Sequence, residues 1–412
     1  MSDMDARQEK GLVLSRDKRI KQVVGSTWAV PSQSQDDRAY LVNVSAATCS
    51  CPDFELRKGK CKHQWAVEII RTVETAPDGT AVLTESVKVT RKTYTQDWPA
   101  YNSAQCAEKE TVQTLLRGLC DGISEPVRSG PGRRPVSLAD SVFAMATKVY
   151  TGMSGRRAST DLKACADDGK MSFAPKYNTV FFMFDDPKFT PILTRLIEQS
   201  AAPLASIETS FAVDSTGFGT HVYRRWFDAK YGREMSESTW LKAHAMVGTT
   251  TNIVTSISVT DSNGADSPEL APLVVSTSKR FRMAEVSADK AYLGHDNLAA
   301  IEAVGAVPYI PFKSNSREKG SPAWRRMWAM FLYRQEEFLA HYHRRSNVES
   351  TFSAIKRKFG GSVRSKRFTA QVTEILLKAL LHNLTMLVHA MHELGIEPSF
   401  AGTLPASSEV IS

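Results

Sequence analysis

Tyr342-His-Arg-Arg345-Ser-Asn-Val-Glu349-Ser-Thr-Phe-Ser-Ala-Ile-Lys356 is the stretch on which the reading of this chain turns. It lies in a segment expected to be helical from about Glu336 to Phe359. Tyr342, Arg345, Glu349 and Lys356 occupy positions i, i+3, i+7 and i+14. At about 100° per residue they fall at about 0°, −60°, −20° and −40°, a stripe about 60° wide. A phenol, a guanidinium, a carboxylate and an ammonium on one helix face suit a surface that handles phosphate and metal. In that reading Glu349 holds metal, Arg345 and Lys356 grip phosphates, and Tyr342 is a DNA contact beside them.

The charge distribution agrees. The 412-residue chain has a formal net charge of +8. Phe312 to Arg367 contains 14 Lys or Arg and 4 Asp or Glu, a local balance of +10, so the remainder is slightly acidic. A concentrated basic segment is the electrostatic footprint expected of a nucleic-acid partner.

Upstream of the stripe, two short apolar runs are expected to be strands that end in an acid: Phe211-Ala-Val-Asp214, and Arg282 to Ala288 followed by Asp289. Further strands are expected at Val222–Trp226, Ile253–Val259 and Val307–Phe312, with helices at His295–Val304 and Thr369–His392. Strands interspersed with helices indicate an α/β sheet domain. Phosphodiester chemistry without a nucleophilic side chain commonly uses two divalent ions, one at the attacking oxygen and one at the leaving oxygen. Mg²⁺ is hard and takes oxygen ligands, so several carboxylates from separate elements are needed. Asp214, Asp289 and Glu349 form such a set. Asp228, Asp261, Asp266 and Asp296 are competing acids, and Asp261-Ser-Asn-Gly264 reads as a turn. Trp324 and Trp328, four residues apart, read as packing residues in preference to base-stacking ones. His341 and His343 read as surface residues.

The stripe resembles the Y-(2)-R-(3)-E-(6)-K signature of insertion-sequence DDE transposases, complete in residue type and spacing. Phe211-Ala-Val-Asp214-Ser-Thr-Gly217 is similar to that family's first Asp on its central strand. Ser287-Ala-Asp289-Lys-Ala-Tyr292 is similar to its second, with Ala291 where Gly is common. Lys242-Ala-His244 resembles a recurring family segment that need not touch metal. The resemblance spans about residues 135 to 395. It implies an RNase H-like mixed sheet flanked by helices, catalytic Asp214, Asp289 and Glu349, and Mg²⁺ or Mn²⁺ at those carboxylates. It also implies cleavage at the ends of a mobile element, joining of the 3′-hydroxyl ends to target DNA, and a homodimer acting on bacterial DNA in the cytoplasm, at the nucleoid. Two other activities fit the same residues less well: a DNA-binding regulator derived from such an enzyme, and an RNase H-like nuclease that cuts without joining.

The N-terminal part carries a different signal. Cys49-Ser-Cys51, nine residues, then Cys61-Lys-His63 supplies four ligands able to close a tetrahedral Zn²⁺ site with no open position, which is structural and not catalytic. Pro52-Asp53-Phe54 and Cys61-Lys-His-Gln-Trp-Ala-Val resemble the SWIM zinc finger, which implies binding to DNA or to protein. The expected strands are Trp28–Val30 and Tyr40–Val44, separated by an Asp36-Asp37 turn, with a helix from Cys61 to Val73. Clustering of three of six cysteines in one short segment points to metal and a reducing compartment, not a disulfide framework. Cys106, Cys120 and Cys165 read as small core residues.

The expected organisation is a SWIM-type zinc module over residues 1–80, a linker over 81–136, and a helical subdomain over 137–205. An RNase H-like catalytic domain over 206–395 and a flexible tail over 396–412 complete it. Pro131-Gly-Arg-Arg-Pro135 reads as linker, with minor-groove contact as the alternative. In the helical subdomain, Ser137 with Asp140 resembles a capping box, and helices are expected from Leu138, from Ser154 to a stop at Gly169, and after Asp186-Pro187. DNA binding and plain packing are equally open for this subdomain. No signal peptide is visible, and no run of 18 apolar residues exists. Ile375 to Val388 is broken by Lys378, His382 and Asn383, so no membrane span is expected.

Overall fold

The structure is a computed structural model that describes residues 6–17, 19–33, 39–57, 59–74, 97–126, 135–220, 240–313, 315–398 and 400. The expected Asp36-Asp37 turn, the Val222–Trp226 strand, Asp228, Pro131 to Arg134 and most of the C-terminal tail lie outside these residues. The chain divides into two compact units, Met1–Gln96 and Asp97–Ser412.

In the first unit, helix α1 (Ala6–Ser15) precedes four strands, β1 (Lys21–Val24), β2 (Thr27–Pro31), β3 (Ala39–Asn43) and β4 (Thr48–Cys49). They form an antiparallel sheet in sequence order. Helices α2 (Pro52–Arg57) and α3 (Lys62–Glu74) follow. Trp28, Val30, Val42, Ala66 and Val67 close a small core together with Cys49, Cys51 and Cys61. A core this small supports a stable fold only with help from a metal or partner.

The second unit begins with α4 (Trp98–Asp121), inside the stretch expected to be linker. That expectation fails over 98–121. Asp97 caps the helix by accepting from Ala100 N at 3.0 Å. Val112, Leu115, Leu116 and Leu119 make a buried stripe at helical spacing. The stripe is narrow and surrounded by charge, so its burial against the helices at Phe368–Leu394 and Leu138–Thr151 gives it weight. Helices α5 (Leu138–Thr151), α6 (Gly155–Asp167), α7 (Tyr177–Asp185) and α8 (Phe189–Ala201) follow; α7 was not expected. Ser137 caps α5 as read, accepting from Asp140 N at 3.0 Å. The Asp140 carboxylate instead accepts from Arg117 (2.9 Å) and Ser172 N (3.1 Å). Every residue of α5 from Asp140 to Val149 is buried, which makes it a core helix.

The sheet contains β5 (Ser210–Gly219), β6 (Trp240–Gly248), β7 (Val254–Asp261), β8 (Glu285–Ala288) and β9 (Val307–Tyr309), in the order β7-β6-β5-β8-β9. β5, β6 and β7 run antiparallel, while β5, β8 and β9 run parallel. This is the expected RNase H-like mixed sheet. Helices α9 (Ser267–Ser278), α10 (His295–Ala303), α11 (Pro322–Tyr333) and α12 (Gln335–Tyr342) surround it, followed by a 3₁₀ turn (His343–Arg345), α13 (Ser346–Phe359) and α14 (Phe368–Leu394). The helices before the sheet and the sheet itself share one apolar core, so residues 137–395 pack as one body and not as two subdomains.

α14 runs through that core and is buried on all sides. Its interior polar residues are matched to backbone groups. Asn383 is fully buried; its side chain accepts from Val254 N (2.9 Å) and donates to Val254 O (2.7 Å), an amide that pairs with the outer strand as a neighbouring strand would. Lys378 donates to Gly360 O (2.9 Å) and Ser362 O (2.7 Å). Among the described residues, no helix is long and apolar enough to cross a membrane.

Candidate active site and zinc cluster

β5 is the centre of the sheet. Phe211, Ala212 and Val213 have no exposed surface, as a strand covered on both faces requires. β5 was expected to end at Asp214, but it continues to Gly219 because β6 pairs with it along its whole length, from Phe211↔Gly248 to Gly219↔Trp240. β8 pairs only as far as Val213↔Ala288 and then leaves the sheet. The next residue on each strand is an acid. Asp214 and Asp289 therefore lie side by side where the parallel neighbours part, the kind of crevice at the carboxyl ends of strands where α/β sheets bind ligands.

Local hydrogen bonds orient both acids. Asp214 Oδ1 accepts from Ser215 N (2.8 Å) and Asp289 Oδ1 from Lys290 N (2.7 Å). Asp289 starts the 3₁₀ turn Lys290–Tyr292. Ala291, where a Gly was expected from the resemblance, carries no backbone cost, because the only non-glycine residues with positive φ among those described are Ala47 and Asn252.

Glu349 lies in the first turn of α13 with its side chain exposed, and Arg345 connects it to the strand acids. Arg345 Nη1 donates to Asp214, and Nη2 donates to Glu349 Oε1 at 2.7 Å. The helix carrying the stripe is not continuous, as had been expected. A 3₁₀ turn at His343–Arg345 interrupts it, and in 3₁₀ geometry residues three apart eclipse. Arg345 consequently sits over Tyr342, with its guanidinium carbon 5.9 Å from the ring centre. Lys356 Nζ donates to Thr216 Oγ1 at 2.7 Å on β5. The structure thus bonds Arg345 and Lys356 to β5 directly, with Glu349 and Tyr342 against Arg345. It gives Arg345 and Lys356 protein partners.

The electrostatics reflect a crowd of acids. Burial pushes the Asp214 carboxyl above its ordinary pKa, against the Ser215 N–H and Arg345, and the charges of Asp289 and Glu349 push it further. Burial opposes the Arg345 charge, yet Asp214, Tyr342 and Glu349 hold its pKa above the usual value. Burial lowers the Lys356 pKa. Oxygen donors that repel one another across a crevice fit a divalent cation, whose charge relieves the repulsion. Among the described residues, however, the only Cys, His, Asp or Glu group tight enough to hold a metal is the N-terminal cluster.

Several residues that position this site were not foreseen. Glu285, nearly buried on β8, accepts from both His341 and Arg344. This ties the end of α12 and the 3₁₀ turn to the strand that leads to Asp289. His341 also stacks on Tyr309, with centroids 4.4 Å apart, so it is not the surface residue expected; His343 is exposed as expected. Asn347 Nδ2 donates to Thr249 O. After α13, Val363 N donates to Gly219 O at 2.9 Å, fastening the chain to the end of β5. These links span about 30 to 145 residues of sequence and leave no spacing signal.

A second polar group lies behind the acids. His244 is fully buried on β6, with Nδ1 3.3 Å from Asp266 and 3.4 Å from the Tyr292 hydroxyl, and Nε2 3.0 Å from Thr260 Oγ1. Lys242 Nζ is 2.7 Å from Asp266, so this competing acid is paired away from the crevice. Burial lowers the His244 pKa and raises that of Tyr292. Asp261 accepts from Asn263 N at 2.9 Å, the expected turn, and Asp296 lies in the first turn of α10. Trp324 packs on Phe312 (4.9 Å) and donates to Arg317 O (2.8 Å), and Trp328 packs on Phe312 (5.0 Å); both fill space, as read.

In the first unit, Cys49, Cys51, Cys61 and His63 are buried, and their ligand atoms lie within 4.8 Å of one another. Cys49 and Cys61 Sγ are each 3.9 Å from His63 Nδ1. A tetrahedral Zn²⁺ with its usual bond lengths sets such donors about 3.5–3.8 Å apart, so the set fits with little adjustment and Nδ1 as the ligating nitrogen. Cys49, by its hydrogen bond, and then His63 push the Cys61 thiol well down, while the same pairing and burial push Cys49 well up. Three crowded thiols cannot all ionise without a cation among them. Cys120 and Cys165 are buried core residues, but Cys106 is exposed on α4, contrary to its reading as core.

Comparison with known proteins matches residues 206–384 to the transposase DDE domain and residues 40–71 to the SWIM zinc finger. Among solved structures, one similar chain is the piggyBac transposase of a synaptic complex with hairpin DNA, at 11% identity and a TM-score of 0.36, covering 70% of this chain and 74% of that one.

Proposed function

From a chain that carries a transposase DDE domain behind a SWIM zinc finger, we propose a DNA transposase that cleaves the ends of a mobile element and joins the freed 3′-hydroxyls to target DNA. Asp214, Asp289 and Glu349 would hold the divalent cations, Mg²⁺ or Mn²⁺. Such ions supply a nucleophile of lowered pKa and charge stabilisation at the leaving oxygen. The observation that carries the reading is the parting of β5 and β8 one residue before each Asp, with Arg345 binding Glu349 to the same crevice.

The remaining roles follow from position. Arg345 holds the carboxylates together in the absence of a cation and, once one neutralises them, has donors to offer a DNA phosphate. Lys356 and Tyr342 extend that surface along the stripe. Cys49, Cys51, Cys61 and His63 hold structural Zn²⁺. The partner is double-stranded DNA, engaged by a homodimer at the bacterial nucleoid.

The test is a strand-transfer assay on element ends with exposed 3′-hydroxyls, with and without Mg²⁺. Joined product that disappears in Asp214→Ala and Glu349→Ala, with DNA binding retained, supports the proposal. Cleavage without joining identifies a nuclease, and binding alone identifies a regulator. Cleavage that survives both substitutions removes the carboxylates from the mechanism.

A further inference from the structure

A cavity of about 490 Å³ lies between the end of α5, helix α7 and the strap that leads into α14. Its size falls in the range of about 300–1,000 Å³ typical of sites for small molecules. Four cations line it, Lys148, Arg364, Lys366 and Arg367, against one acid, Asp185. Phe181 and Phe184 form an apolar wall.

Lys148 is the unusual member. It is 8% exposed, yet its ammonium makes no hydrogen bond or ion pair with any described residue; it lies 4.9 Å from the centre of the Phe184 ring. The nearby acid, Glu374, is already taken by Arg364 N (3.1 Å), Ser365 N (3.0 Å) and Ser365 Oγ (2.8 Å). Burial lowers the Lys148 pKa and Arg364 adds to the effect, although Glu374 resists it. A buried cation without a counter-ion is costly unless a ligand supplies one. An acceptor is also idle: Asp185 Oδ1 is buried without a hydrogen-bond partner, while its other oxygen faces Arg367 at 3.5 Å. The wall is fitted closely, since a Cβ on Gly155 would come within 2.5 Å of the Phe181 ring.

We propose that this cavity binds a nucleotide, with its phosphate on Lys148 and Arg364, its base against Phe181 and Phe184, and an exocyclic amino group donating to Asp185. A bare anion would leave the rings unused, and an apolar ligand would bury Lys148 without a partner. A flat ring that carries both an anion and a donor satisfies all three features. The nucleotide comes either free or as an unpaired nucleotide of a DNA strand. The site lies outside the carboxylate crevice and does not depend on its chemistry.

The experiment uses the full chain with fluorescently detected dAMP, dTMP, inorganic phosphate and two duplexes, one fully paired and one with a single unpaired adenosine. The expected result is saturable dAMP binding, at least tenfold weaker in Lys148→Met and in Phe181→Ala, with dTMP weaker than dAMP and phosphate a poor competitor. Preference for the duplex with the unpaired adenosine, lost in the same variants, identifies the strand as the source; dAMP binding without that preference identifies free nucleotide. Melting profiles confirm that each variant folds, and half-exposed Phe181 serves if Lys148→Met does not. Phosphate competing as well as dAMP, unchanged binding in the folded variants, or no saturable binding overturns the proposal. None of those results bears on metal-dependent cleavage, so failure here is distinguishable from failure of the transposase reading.

Discussion

Glu285→Ala tests how the helix that carries Glu349 is aimed. Glu285 is 7% exposed and receives His341 and Arg344 from the junction between α12 and α13. Hydrogen bonds to charged groups contribute about 1.5–3 kcal/mol each. Half of the Arg344 side chain is exposed and a third of His341, so solvent takes over much of what the substitution removes. The net cost expected is about 2 kcal/mol, which lowers the melting temperature of the larger unit by roughly 3 °C. The effect on chemistry exceeds the effect on stability. Arg344 precedes Arg345, which connects Asp214 to Glu349, and a displacement of about 1 Å at a reacting centre can cost on the order of 10²-fold in rate. Calorimetry and single-turnover cleavage on one preparation check both parts. Cleavage that stays within a factor of two while melting falls would refute the claim that the Glu285 clamp sets the position of Glu349.

Other consequences are equally direct. Cys61→Ser is expected to release Zn²⁺ and unfold the first unit while the second melts unchanged; metal analysis that still finds one zinc per chain removes Cys61 from the ligand set. Burial pushes Lys378 down to about 8 from its ordinary 10.5. The unfolded chain binds the extra proton between those values, so the native state gains stability as pH rises from about 8 to 10.5. The gain is on the order of 3 kcal/mol, read as wild type minus Lys378→Met in urea titrations at each pH. Asp214 titrates above its ordinary pKa, so the native state is penalised at neutral pH and relieved as pH falls through the raised value. Asp214→Asn is therefore expected to melt no lower than wild type without metal and to lose the rise that Mg²⁺ gives wild type; an undiminished rise would contradict the ligand assignment. Asn383→Ala strands a buried N–H and C=O of Val254 and is expected to cost about 2–5 kcal/mol in chemical denaturation, with no change in DNA affinity.

The sequence by itself determined what could be carried by local spacing and residue chemistry. Cys49, Cys51, Cys61 and His63 are close along the chain, so four soft or borderline ligands could be read as one zinc site before any fold was known. The Tyr342, Arg345, Glu349, Lys356 stripe and the apolar runs before Asp214 and Asp289 similarly pointed to the mixed sheet and to the three acids of the proposed site. Tertiary structure decided the rest, because those features depend on partners distant in sequence. The 98–121 helix has a thin apolar stripe whose value comes from burial against helices α5 and α14, so it passed for linker. A turn of 3₁₀ helix at His343–Arg345 is imposed by Glu285 and Asp214, acids 59 and 131 residues away from Arg344 and Arg345. That β5 runs on past Asp214 follows from the length of its pairing with β6, and the crevice follows from the earlier departure of β8. Periodicity reports which side of an element is buried; which strand stops first is a property of the assembled sheet.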